Sequence, residues 1–371
     1  MPFTFFVIKI SKRYIAKRLN LNKIIGKNLQ KNLTAIRLNV SKKIGLGHLR
    51  RSQALAAVIG PHLFIVPKEG KNIALQQGIP DQNLLTLTED SGNWWETIPK
   101  LTHIVTDIMN TGNKTAAGTE IAKIAQSPHK LAVIDSMPPD HYVPKKGDSK
   151  PDLIIRPYYT SEIYLKKVRG LRYLTGVQYA ILADRFGTTR QNFVPDKSPR
   201  ILLTCGGTDP NELSLKILRS LSPAPCKIDL IIGPLYSHSL CKKLLDFSTL
   251  DKKIVVHQNV LDMIPFYKSA TLVVGRPGLI RYEAAVFGCS GLYLWDAKGY
   301  ESYWENLTRS GLAEIYTTNQ AGGSDAFFER LLRFSQHLDD VPVALNKKAL
   351  ELVDGLGCWR VAKEILRLND V

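Results

Sequence analysis

Short, strongly apolar runs that alternate with helix-length stretches, twice over, constrain this chain more than any other feature. Ile36 to Val40, Leu63 to Val66, His103 to Asp107, Leu131 to Asp135 and Leu153 to Arg156 form one series. Arg200 to Thr204, Ile228 to Ile232, Ile254 to His257, Leu272 to Val274, Gly291 to Leu294 and Glu314 to Tyr316 form a second. Runs so short and so uniformly apolar suit parallel strands covered by helices on both faces, the α/β class. Gly187 to Pro199, rich in Thr, Asn, Asp, Ser and Pro, reads as the linker between the series. With 371 residues, 44% of them hydrophobic, the chain can fill two cores. The expected architecture is two doubly wound Rossmann-like domains, 35–186 and 200–371, facing a cleft. A helix over Gly355 to Leu368 would pack back across both.

In such sheets ligands bind beyond the carboxyl ends of the strands, so the loops that follow strands carry the chemistry. The first is Gly45-Leu46-Gly47-His48-Leu49-Arg50-Arg51, between the run Ala35 to Val40 and a helix from Ser52 to Ile59. Gly45 and Gly47 allow a tight turn, the N-H groups at a helix start attract anions, and Arg51 offers a planar fork for phosphate or carboxylate. His48, the side chain that titrates nearest neutrality, is the candidate base or acid. A plain helix-start turn with a surface histidine is the alternative.

A second glycine turn, Cys205-Gly206-Gly207-Thr208-Asp209-Pro210-Asn211, precedes a helix starting near Glu212. Gly206, Gly207 and Thr208 supply candidate donors for a phosphate or sugar, while Asp209 serves either the ligand or the helix as a cap. A third, Gly275-Arg276-Pro277-Gly278-Leu279-Ile280-Arg281-Tyr282-Glu283, carries two arginines ahead of an apolar helix, Ala284 to Phe287. Arg276 and Gly278 suit an anion. Glu283 suits a pair of ribose hydroxyls, or simply the positive end of its helix. Asp135 ends a strand and is a candidate for orienting His48, and Asn306 is a candidate for sugar hydroxyls. Trp94 and Trp95 read as packing residues.

The formal net charge of +17 is uneven: residues 1–34 hold eight Lys and Arg and no acid. Apolar residues spaced near four apart make this segment either a basic amphipathic helix on anionic lipid or a flexible extension. Aromatic interleaving is sparse and no nucleic-acid motif appears, so nucleic acid is not an expected partner. The five cysteines are dispersed, with no Cys-x-x-Cys pair, no metal site and no disulfide framework signalled. No Asp-x-Asp and no Gly-x-x-x-x-Gly-Lys-Ser/Thr loop occurs, and no cofactor is implied. Without a signal-peptide pattern or an apolar run of spanning length, a cytoplasmic protein is expected, with membrane contact through 1–34 as the variant.

Taken in order, Ile44 to Arg51, Tyr179-Ala180-Ile181-Leu182, Gly206 to Asn211 and Asp354 to Ala362 resemble the nucleotide-sugar hydrolases of pseudaminic acid synthesis and the related spore-coat polysaccharide family, of the two-domain GT-B class. The match runs from about Ala35 to the C-terminus. It implies a UDP-sugar held by the second domain, with His48 activating water at the anomeric carbon and UDP departing without a metal. Asn39, Met137 and Arg276-Pro277-Gly278-Leu279 depart from the family pattern. The last of these, with Glu283 and Tyr303-Trp304-Glu305-Asn306, is similar to family-28 glycosyltransferases, which pass the sugar to an acceptor hydroxyl. Hydrolase, glycosyltransferase and non-catalytic nucleotide-sugar binder are therefore the three expectations.

Overall fold

A computed structural model describes residues 33–112, 115–137, 140–158, 168–191, 200–337 and 347–370. The first series builds β1 (Leu33–Leu38), α1 (Gly47–Ile59), β2 (His62–Pro67), α2 (Lys71–Gln76), β3 (Leu84–Leu87), β4 (Leu101–Asp107), α3 (Ala116–Ile124), β5 (Lys130–Ile134), β6 (Leu153–Arg156), β7 (Arg172–Thr175) and α4 (Arg185–Gln191). The second builds β8 (Arg200–Thr204), α5 (Leu213–Leu221), β9 (Lys227–Ile231), α6 (His238–Thr249), β10 (Ile254–His257), α7 (Ile264–Ser269), β11 (Leu272–Gly275), α8 (Ile280–Val286), β12 (Ser290–Trp295), α9 (Glu301–Arg309), β13 (Glu314–Thr317) and α10 (Gly323–Gln336). Then come α11 (Lys347–Leu352) and α12 (Gly357–Leu366).

The strands form two parallel sheets, ordered β3-β2-β1-β4-β5-β6-β7 and β10-β9-β8-β11-β12-β13. Both are doubly wound, as expected. In each, successive side chains feed different cores. Ile36 and Leu38 join the layer beneath α1, while Leu33 and Ala35 join the opposite layer with Ile121, Ile124, Trp94 and Trp95. Leu202 and Val273 face one side of the second sheet, Ile201, Leu203, Leu272 and Val274 the other. Strands buried on both faces need no polar alternation, which is why they stood out in the sequence. Two strands did not: β3 and β7 are edge strands of four residues, partly exposed along their length.

Three expected boundaries shift. β1 opens at Leu33, two residues inside the stretch read as an extension, because Leu33 already pairs with Leu101 and the Thr34 N-H donates to the Pro61 carbonyl at 3.0 Å. Residues 1–32 lie outside the described part. Residues 187–191 of the expected linker continue α4, and 192–199 also lie outside it. The C-terminal helix packs on the first sheet rather than across both, with Cys358, Val361, Ala362 and Ile365 joining the core under α1. Gly357 makes that return feasible, since a Cβ there would stand 2.3 Å from the Ala180 carbonyl oxygen. Two of the four motifs, Tyr179 to Leu182 and Asp354 to Ala362, thus meet each other, and Arg360 clamps the junction through Asp354 and the Gln178 carbonyl. Their role is packing.

Candidate functional site

β1 and β4 are neighbours at the point where the strand order of the first sheet reverses, so the loop after β1 and the end of β4 open on one crevice. His48 lies in the first turn of α1, and Asp107 is the last residue of β4. His48 Nδ1 stands 2.6 Å from Asp107 Oδ1. Arg51, one turn further along α1, grips both oxygens of the same carboxylate, Nε donating to Oδ2 at 2.8 Å and Nη2 to Oδ1. Its Nη1 donates to the Tyr158 hydroxyl at 2.7 Å, and Ser52 Oγ approaches Oδ2 at 3.4 Å.

Asp107 and Arg51 are buried, whereas the His48 side chain stays partly open to the cleft. Burial alone would raise the Asp107 carboxyl, but the charges and hydrogen bonds of Arg51 and His48 overcome it and hold the group at about 2, below its ordinary 3.8. The same pairing, with Tyr158, keeps Arg51 charged against the desolvation that burial imposes. An ionised carboxylate only accepts, so His48 Nδ1 is the donor. In the neutral ring Nε2 is then the acceptor, and it makes no hydrogen bond among the described residues. The arrangement is a base held in one tautomer by a buried acid.

The second sheet reverses between β8 and β11, and its two loops are built differently. Gly206 turns the chain with φ +80° and spends its N-H on Thr204 Oγ1 at 3.3 Å. The N-H groups of Gly207 and Thr208 have no acceptor among the described residues. These two residues face the first loop: a Cβ on Gly207 would stand 2.8 Å from Leu46, and one on Gly45 3.4 Å from Thr208 Oγ1. The His48 loop and the Gly207 loop therefore touch across the cleft. Asp209 is not free for a ligand. Its carboxylate accepts from the N-H groups of Leu213 and Ser214 and from the Ser214 hydroxyl, capping α5.

After β11, Arg276 pairs with Asp296 at 2.9 Å and lies over the Trp295 ring, and Asn211 Nδ2 donates to the same Asp296 at 2.8 Å. Gly278 accepts from Arg281 Nη1 through its carbonyl. Arg281 is buried between the rings of Tyr282 and Trp304, donates to the Tyr282 hydroxyl at 3.1 Å, and forms no ion pair among the described residues; its Nε is buried without a partner. Glu283, half-buried, accepts from the Tyr267 hydroxyl at 2.6 Å. Burial pushes its carboxyl above the ordinary value of 4.5, opposed by Tyr267 and the charges of Arg50 and Arg185.

The halves also meet through side chains. Tyr158, which holds Arg51, sets its ring edge-on to Tyr303 with centroids 6.3 Å apart, and Tyr300 donates to Asp140 Oδ2 at 2.7 Å.

Sequence reasoning thus brought His48, Arg51, Gly45, Gly207 and Thr208 to one cleft and misplaced others. Asp135 does not orient His48. It is buried under Arg156 Nε at 2.9 Å, the Thr111 hydroxyl, and the N-H groups of Ser136 and Tyr142, where it ties down the loop after β5. Asn306 turns back on its own helix, donating to the Ser302 carbonyl at 2.8 Å. Gly47, at the start of α1, is exposed. Asn39 accepts from Arg37 Nη1 at 2.9 Å. Asp107, Tyr158 and Arg281 were missed as site residues.

No family model matches the chain. The spore coat polysaccharide biosynthesis protein SpsG of Bacillus subtilis is 24% identical over 206 residues, 54% of this chain and 59% of that protein. An uncharacterized protein of Methanocaldococcus jannaschii is 24% identical over 177 residues, 43% of this chain and 36% of that one. The chain thus spans less than two thirds of either relative. Among solved structures, MurG of Acinetobacter baumannii superposes with a TM-score of 0.57 at 13% identity, covering 91% of this chain and 100% of that one. HepE of Anabaena, solved with UDP-glucose, gives 0.54 at 13% identity, with coverage of 91% and 100%. UDP-GlcNAc 2-epimerase of Neisseria meningitidis, bound to UDP-GlcNAc, gives 0.50 at 11% identity, with coverage of 90% and 100%. The fold is GT-B, two Rossmann-like halves about a cleft.

Proposed function

We propose that this protein is a GT-B enzyme that transfers a glycosyl group from a UDP-sugar to an acceptor hydroxyl, with His48 as the base. The observation that carries this reading is the His48–Asp107 pair standing across a contact-width cleft from unsatisfied backbone donors at Gly207 and Thr208. A proton acceptor and an anion cradle that close on each other suit displacement of a diphosphate by a hydroxyl.

In this scheme Nε2 of His48 takes the proton of the attacking hydroxyl as its oxygen bonds to the anomeric carbon, and the bond from that carbon to the diphosphate breaks with inversion. Asp107, held ionised, stabilises the imidazolium that forms, and Arg51 fixes Asp107. The N-H groups of Gly207 and Thr208 receive the departing diphosphate. Arg281, buried and without an ion-pair partner among the described residues, supplies positive potential behind the turn at Gly278, whereas the charge of Arg276 is met by Asp296. A buried cation without a carboxylate partner is costly unless an anion approaches it, which favours a phosphate at this turn. Glu283 has one carboxylate oxygen on Tyr267 and offers the other to the ribose hydroxyls.

The solved neighbours include HepE bound to UDP and to UDP-glucose, which supports the donor class. Hydrolysis is the second reading, favoured by the motifs at Ile44 to Arg51 and Gly206 to Asn211, which resemble those of nucleotide-sugar hydrolases. Phosphorus NMR of purified protein with a panel of UDP-sugars decides between them. UDP release that requires an acceptor alcohol is the expected result. Release into water alone at the same rate makes the enzyme a hydrolase, and binding without turnover under either condition removes catalysis from the proposal.

A further inference from the structure

Away from the cleft, α12 carries an outward face that its packing does not explain. Cys358, Val361, Ala362 and Ile365 point into the core beneath α1. The opposite stripe is Trp359, Lys363, Leu366 and Arg367, spaced as one helix face. Trp359 is 48% and Leu366 42% exposed, although an outward helix face is ordinarily polar. With Val58 of α1 they line a groove of about 610 Å³, and the Trp359 indole N-H is tied to Asp184, which fixes the ring in place.

The rim is cationic. Arg360 is paired with Asp354, Arg172 and Arg367 share Glu364, Asp184 holds the Trp359 indole, and Lys363 forms no ion pair among the described residues, so one positive charge is in excess. The chain also enters the fold at the end of α1 that bears Val58, since Thr34 pairs with His62, and the preceding 32 residues hold eight cations and no acid. Charge selects the occupant. The N-terminal segment and a second copy of this face would both meet like charge, whereas an anionic surface would not.

We propose that the outward face of α12 docks on an anionic lipid bilayer, Trp359 and Leu366 seated at the headgroup level and Lys363 and Arg367 on acidic headgroups. Tryptophan and basic residues on one amphipathic face are what such a surface binds. Co-sedimentation of the full chain with phosphatidylglycerol-rich and phosphatidylcholine-only vesicles at low salt tests it. Binding to the anionic vesicles alone is expected, and Lys363→Gln with Arg367→Gln weakens it about 30-fold, at about 1 kcal/mol for each cation near the surface. Trp359→Ala weakens it further while the protein keeps its melting temperature; should that variant melt early, the charge pair decides alone. Equal binding to both vesicle types, or wild-type binding by the charge-pair variant, overturns the proposal. So does a variant that loses self-association but not vesicle binding, which would make the face a contact between copies.

Discussion

The two strand-order reversals of this molecule use their charged groups in opposite ways. At the first, Asp107 is buried with a guanidinium on both oxygens and a histidine ring beside it, and its carboxyl is held down to about 2. At the second, Glu283 is pushed up by burial and accepts from a tyrosine hydroxyl, and Arg281 is buried with no carboxylate partner among the described residues. One end is electrostatically complete and needs only a proton to move. The other is left short of negative charge near Arg281, and a ligand phosphate would complete it. The same topology therefore separates proton handling from anion holding.

The largest effect should come from removing the completing charge. Asp107→Asn leaves Arg51 buried without its carboxylate, which costs about 3–5 kcal/mol, whereas Arg281→Met removes a cation that has no counter-charge among the described residues and should leave the melting temperature unchanged or raised while weakening UDP binding. Comparable loss of stability in both variants, measured by thermal melting, would erase the contrast. The Asp107 contribution also has a defined pH window. Because its folded value lies below its ordinary 3.8, the stability it adds is present above that value and disappears as pH falls toward about 2, so the wild type and Asp107→Asn should converge there.

Next in size is the base itself. His48→Ala should lower turnover about 100-fold or more, the scale of a lost general base, without changing UDP affinity. A variant that loses affinity instead would move His48 to the binding side. Smaller again is Gly207→Val, whose Cβ would press on Leu46 from 2.8 Å. Overpacking of this kind costs about 1–3 kcal/mol, and here it would wedge the loops apart. Calorimetry with UDP should report weaker binding, and an unchanged affinity would mean that the two loops do not close on the nucleotide.

The fold was legible because buried parallel strands write themselves as apolar runs; only the thin edge strands β3 and β7, half open to water, escaped. The His48 loop was legible for the same reason, being the first turn after such a run. Its partner was not. Asp107 and Asp135 both end strands drawn from the sequence, and nothing local distinguishes them. What separates them is that β4, not β5, lies beside β1, a fact of strand order that follows from chain packing rather than from any segment. Asp209 and Asn306 are engaged within the protein for another reason: short polar side chains near helices satisfy backbone groups first, and a capping Asp looks the same in sequence as a ligand-binding one.

Glu283→Gln gives the smallest effect and the sharpest test of the contrast. A carboxyl whose folded value is raised holds its proton longer in the folded chain than in the unfolded one, so stability falls as pH rises above its ordinary 4.5, opposite in sign to Asp107. Glutamine keeps an acceptor for Tyr267 without the buried charge. The variant should therefore melt slightly higher than the wild type at neutral pH, the gap closing in mild acid, while losing affinity for uridine nucleotides through the ribose. A variant that melts lower at neutral pH would mean that Arg50 and Arg185 stabilise the Glu283 charge more than burial opposes it. Glu283 would then be a completed ion pair like Asp107, and the second reversal would no longer differ from the first in kind.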